Sequence, residues 1–96
     1  MNAMDKYENI KYLGKGAFGV VRLYQDKRTK EKVAIKIINK KKIINKYYEA
    51  IVKRQLNILQ NIQHINIINT KQILNESENI YIIMEFVKKE NYLILL

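Results

Sequence analysis

The chain has 96 residues, 48% of them hydrophobic, and carries 18 Lys and Arg against 9 Asp and Glu, a net charge of +9. That length is one domain or part of one, and that apolar content can pack a core, which excludes a chain that is mainly disordered. With no Cys and a single His, His64, a disulfide framework and a Cys- or His-rich metal site are excluded as well.

Tyr7 to Leu13 reads as a first strand, with Tyr7, Ile10, Tyr12 and Leu13 as its apolar content. Gly14 to Gly19 is a glycine-punctuated turn. Val20 to Tyr24 is a second strand, paired with the first as an antiparallel hairpin. Residues 26–31 form a polar turn, and Lys32 to Ile38, rich in β-branched residues, is a third strand. From Lys46 to Ile62 the period changes: Tyr48, Ile51, Val52, Ile58, Leu59 and Ile62 recur at helical spacing. Asn45 is the expected N-cap of that helix. Gln55 falls inside its apolar stripe, where a polar side chain either finds a buried partner or reaches water at the helix edge. Ile67 to Leu74 and Ile80 to Val87 read as two further strands joined by the polar turn at 75–79. The order is an α+β layout: an antiparallel sheet of five strands with one main helix on a face.

Gly14-Lys15-Gly16-Ala17-Phe18-Gly19 is a G-x-G-x-x-G string. A plain hairpin explains it, and so do two kinds of phosphate loop. A dinucleotide fold needs a helix after the string, but Val20-Val21-Arg22-Leu23-Tyr24 is strand. A Walker loop needs Ser or Thr after its lysine, but Lys15 is followed by Gly16. What remains is a glycine-rich hairpin lid, whose backbone can approach phosphate oxygens because no Cβ intrudes. Val33-Ala34-Ile35-Lys36 follows as strand, and alternation puts Ala34 and Lys36 on one face. A lysine on a buried face is costly unless an anion meets it. The alternative is a lysine at a strand end that snorkels to water.

These segments resemble the amino-terminal lobe of eukaryotic protein kinases, over residues 7–87, with 1–6 an amino-terminal extension and 88–96 a divergent tail past the hinge. Gly14-x-Gly16-x-x-Gly19-x-Val21 resembles the family's glycine-rich loop, and Val33-Ala34-Ile35-Lys36 its third-strand lysine motif. Gln55-Leu56-Asn57-Ile58-Leu59 is similar to the helix-C segment and His64-Ile65-Asn66-Ile67 to the family's His-Pro-Asn-Ile. Tyr81 to Val87 is similar to the fifth strand running into the hinge. The Lys-rich stretch 39–42 leans toward the serine/threonine kinases, with the calmodulin-dependent kinases one candidate subgroup. The resemblance implies that Gly14, Lys15, Gly16, Ala17, Phe18 and Gly19 cover the phosphates of ATP and that Lys36 pairs with the α- and β-phosphates. It implies that Leu13, Val21, Ala34 and Ile68 sandwich the adenine, with Met84 guarding the back pocket. The Glu85 carbonyl and Val87 amide would bond the base, and Leu59 and Thr70 would take two regulatory-spine positions.

Two departures limit the resemblance. Gln55 stands where the family's helix C carries the Glu that pairs with the lysine, so it can hydrogen-bond Lys36 but cannot neutralise it. Glu49, six residues earlier and roughly 240° around the helix, is no substitute. The only Asp residues are Asp5 and Asp26, both before Lys36. The catalytic base and the protein ligands of Mg2+, which the family holds beyond the hinge, therefore have no candidate here, and neither a catalytic nor a metal-binding residue is assigned. The abrupt apolar ending suggests a truncated gene product or an alternative reading of the gene. An apolar underside including Leu59 and Ile68 would lack its usual cover and favour self-association or a partner.

The expected function is the ATP-binding lobe of a serine/threonine kinase domain, inactive alone. One alternative is a non-catalytic kinase-like interaction module that docks on a partner kinase. Another is a basic nucleic-acid-binding domain built on Lys40, Lys41, Lys42, Lys46, Tyr47 and Tyr48, against which stands a solvated loop before a helix. Part of the basic balance reflects a general excess of Ile, Lys and Asn. No apolar run approaches the roughly 20 residues that cross a bilayer, and the opening stretch is polar, so a cytoplasmic protein without a membrane partner is expected.

Overall fold

A computed structural model describes residues 3–16, 18–61 and 70–86, with the side chains of residues 55 and 57–61 outside that description. After a short 3-10 turn at Ala3–Lys6 come β1 (Tyr7–Gly16), β2 (Gly19–Asp26) and β3 (Lys32–Asn39). A second 3-10 turn at Lys40–Lys42 leads to α1 (Lys46–Asn61), and β4 (Thr70–Asn75) and β5 (Asn79–Glu85) follow. The strands form one antiparallel sheet in the order β1-β2-β3-β5-β4. This is the α+β sheet-and-helix arrangement expected from the pattern.

β3 is the middle strand, and Val33, Ile35 and Ile38 are buried while Ile37 is partly so, with side chains on both faces. On one face Val21, Ala34, Ile38, Ile80, Ile82 and Met84 gather with Val52 of α1, and Leu56 of the helix packs against them. On the other face Val33, Ile35 and Ile83 are covered by Met4 and by Tyr7, Tyr24 and Tyr81. The helix thus closes one face, while the amino-terminal turn and tyrosines shield the other. Asn45 caps α1 as expected: the Tyr48 amide donates to its Oδ1 at 3.0 Å, satisfying one of the first-turn donors that a helix leaves unpaired.

The structure departs from the sequence pattern at the first hairpin. The glycine segment is strand rather than turn for most of its length, because Gly14, Lys15 and Gly16 pair with Val21, Val20 and Gly19. Phe18, outside both strands, is the described residue between them. The register slips between Asn9 and Lys11 and between Tyr12 and Gly14, each slip leaving one extra residue on β1 as a bulge does. Alternation therefore fails there, and Ile10 and Tyr12, expected to be apolar content of the strand, are 42% and 53% exposed. The polar turn after β2 is closed by Asp26, whose carboxylate accepts from the Thr29 and Arg28 amides. Those bonds, the Thr29 one foremost, hold its carboxyl below the usual range. The expected strand residues 67–69, helix residue Ile62 and strand residue Val87 lie outside the described residues.

Candidate functional site

Alternation along β3 puts Ala34, Lys36 and Ile38 on the face that α1 covers. Val21 and Ile82 stand opposite Lys36 on the two neighbouring strands. Lys36 is 2% exposed, and among the described residues no other charged side chain is buried. A lysine snorkelling from a strand end would expose its amine, so that alternative fails. Burial pushes the ammonium below its ordinary value of 10.5, because the charged form has lost its water.

The side chain runs directly beneath the hairpin. A Cβ placed on Gly16 would lie 2.9 Å from Lys36 Cε and 3.5 Å from Nζ. At Gly19 a Cβ would fall 1.7 Å from the Ile37 carbonyl oxygen, so bare backbone is required there for β2 to lie against β3. Gly14 is different, with nothing within 4 Å of its Cβ position. None of the three has a positive φ. The left-handed residue of the loop is Phe18, at φ 64°. Its carbonyl accepts from the Asn39 amide at 3.2 Å, and its ring meets Tyr48 edge-on, with centroids 5.7 Å apart.

Leu13 and Phe18 pack against the cluster that holds Val21, Ala34 and Met84. Met84 faces Ala34 on one side and Thr70 on the other. The Thr70 hydroxyl is buried with no hydrogen-bond partner among the described residues. Of the residues expected at the site, Leu13, Gly16, Phe18, Gly19, Val21, Ala34, Lys36 and Met84 therefore share one region. Lys15 and Glu85 are exposed, Glu85 ending β5 opposite Val33. Gln55 and Leu59 lie on α1, with side chains outside the description, and Ala17, Ile68 and Val87 lie outside the described residues. The Phe18–Tyr48 contact carried no signal in the sequence beyond the aromatic identity of its two members.

A groove of about 330 Å³ lies elsewhere, between α1, the Lys40–Lys42 turn and the β4–β5 end of the sheet. Its floor is Ile43, Val52, Leu56 and Ile80, and neither Lys36 nor the hairpin lines it. No three His, Asp or Glu side chains come together to hold a metal ion among the described residues. No helix there is long and apolar enough to cross a membrane.

The fold thus sets a buried lysine under a glycine hairpin, beside a helix-covered apolar face. The family model for the protein kinase domain matches residues 7–96. The chain belongs to the protein kinase family. This kinase-domain segment is 42% identical over 88 residues to myosin light chain kinase A of Dictyostelium discoideum, covering 91% of this chain and 30% of that protein. It is 39% identical over 85 residues to CBL-interacting serine/threonine-protein kinase 13 of Arabidopsis thaliana, covering 88% of this chain and 17% of that one. It is 36% identical over 89 residues to the carbon catabolite-derepressing protein kinase of Candida tropicalis, covering 93% and 14%. The chain thus spans less than a third of the length of these relatives. It is an amino-terminal kinase-domain region homologous to serine/threonine kinases.

Proposed function

We propose that this kinase lobe forms one wall of an ATP site and cannot transfer a phosphoryl group by itself. The burial of Lys36 directly under Gly16 carries the reading. An ammonium held in apolar surroundings is favourable once an anion meets it, and a bare-backbone hairpin above it can bring amides to phosphate oxygens. In this reading Lys36 pairs with the α- and β-phosphates, and residues 14–19 cover them. Leu13, Val21, Ala34 and Ile68 enclose the adenine, Met84 borders the space behind it, and the Glu85 carbonyl and Val87 amide bond the base. Gln55 replaces the acidic partner of the lysine with a neutral one. Thr70 and Leu59 take the two spine positions.

Phosphoryl transfer depends on positioning and on neutralising charge, with aspartates supplying the base and a metal ligand. The 96 residues hold only Asp5 and Asp26, both before Lys36, so Mg2+ has no protein ligands here and no step is assigned through it. With a single wall, ATP affinity is expected at a Kd of about 0.1 mM or weaker. Isothermal calorimetry with the purified chain tests this. Low-micromolar binding overturns the one-wall reading, binding unaffected by Lys36→Met overturns the site assignment, and radiolabel transfer to a protein substrate overturns inactivity. A second reading, a non-catalytic module that docks on a partner kinase, draws its support from Gln55. Recovery of a kinase catalytic domain with this chain from its native cell would favour it.

A further inference from the structure

Lys36 and Gly16 are already in contact, with Cε only 2.9 Å from where a glycine Cβ would point. A phosphate oxygen held from both sides needs about 2.8 Å to the ammonium and about 2.9 Å to a backbone amide. A Cβ on Gly16 would already press on that side chain, with Nζ at 3.5 Å, so the hairpin backbone lies directly on the lysine. For the amine to receive a phosphate, the hairpin has to rise.

Two contacts hold it down against a strained backbone, and all three features converge on Phe18, the loop residue next to Gly19. Phe18 keeps a left-handed backbone at φ 64°, a conformation that a bulky residue adopts only where its surroundings enforce it. Its carbonyl is tied to the Asn39 amide at the end of β3. Its ring packs on the cluster that Val52 and Leu56 of α1 complete and meets Tyr48 at 73°. Tyr48 in turn is fixed in the capped first turn of α1 through its own amide.

We infer that Phe18 and Tyr48 form a latch between the hairpin and α1 that keeps Lys36 covered, and that releasing it raises both the reach of anions to the amine and the affinity for nucleotide. Tyr48 is a positioning residue: it acts on the site through Phe18. The strained backbone at Phe18 biases the hairpin to lift once the ring leaves Tyr48. The nucleotide half of the inference rests on reading the hairpin and Lys36 as an ATP site, whereas the covering of Lys36 does not.

The test is reductive methylation of lysines in the full chain with formaldehyde and a borohydride, read site by site by mass spectrometry. Lys53, exposed on α1, is the internal reference. In the wild type Lys36 should react far more slowly than Lys53. Tyr48→Ala should speed its labelling about fivefold or more. Tyr48→Phe keeps the ring edge and should stay within about twofold of wild type. Phe18→Gly, which removes both the ring and the strain, should match Tyr48→Ala. Amide hydrogen exchange across Val33 to Ile38 should stay as slow as in the wild type in all variants. Labelling unchanged in Tyr48→Ala and Phe18→Gly overturns the latch. So does a rise in β3 exchange that equals the rise in labelling, since Lys36 is then reached by global opening.

Calorimetric titration with ATP separates the two halves. Apparent affinity scales with the fraction of binding-competent molecules, so it should tighten by about the same factor as the labelling. Faster labelling with no ATP binding by any variant supports the latch and refutes the nucleotide reading.

Discussion

Lys36→Met asks what the buried ammonium costs the fold. Methionine keeps an unbranched stem in the space between Val21 and Ile82 and removes the one charge that this apolar face encloses among the described residues. Replacing a buried charge by an apolar side chain of similar shape is commonly neutral or stabilising, by up to about 4 kcal/mol. Lys36 also takes part in a polar or electrostatic contact that the substitution forfeits, so we expect a net gain of about 1 kcal/mol at pH 7. The pH dependence is the sharper signature. Burial lowers the folded-state pKa below 10.5, so between that lowered value and 10.5 the unfolded chain binds more protons than the folded one. Stability of the wild type therefore rises with pH through this window, by at most about 1.4 kcal/mol per pH unit. The variant lacks that slope, and its advantage should shrink as pH climbs from 7 toward 10. Urea unfolding followed by far-ultraviolet circular dichroism gives both quantities, provided the m-value is unchanged. A variant less stable than wild type by more than about 1 kcal/mol, or a difference that is flat with pH, refutes the reasoning.

The three glycines of one motif should respond differently to alanine. Gly19→Ala forces a Cβ to 1.7 Å from the Ile37 carbonyl and should cost about 3 kcal/mol or more, or abolish folding. Gly14→Ala meets nothing within 4 Å at an ordinary φ and should raise stability by about 0.5 kcal/mol. Thermal melts of the pair check both signs. Asn45→Ala removes the acceptor of the Tyr48 amide and should cost about 1 kcal/mol, with helix signal lost before sheet signal. Thr70→Val replaces a buried hydroxyl that lacks a partner among the described residues and should stabilise the isolated chain by about 1 kcal/mol, measured by urea midpoint.

The parts of the fold carried by periodicity were readable in advance. Branched alternation in Lys32–Asn39 and helical spacing after Asn45 arise from local backbone geometry, and both elements stand where that geometry puts them. The face shared by Ala34 and Lys36 follows from the two-residue period alone. The extent of the glycine hairpin did not follow, because glycine signals a turn whether it bends the chain or admits a neighbour. Gly16 and Gly19 are strand residues that make room for Lys36 and for the β3 backbone. Leu13 and Ile10 at the register slips were equally illegible, since a bulge depends on what the partner strand demands. The covering of the lysine by Phe18 and Tyr48 joins residues 30 positions apart and depends on where α1 docks, which no local rule specifies.

The two slips in β1 reach beyond the hairpin. β1 and β4 are the outer strands of the sheet, and β4 carries its own slip between Thr70 and Gln72. An outer strand with an unbroken ladder of free amides and carbonyls invites a neighbouring molecule to add on, strand to strand. Here both margins lose their even spacing, and Glu8, Lys11, Lys15 and Lys71 stud them with charge. Growth into ribbons by edge pairing is thereby disfavoured at either side of the sheet.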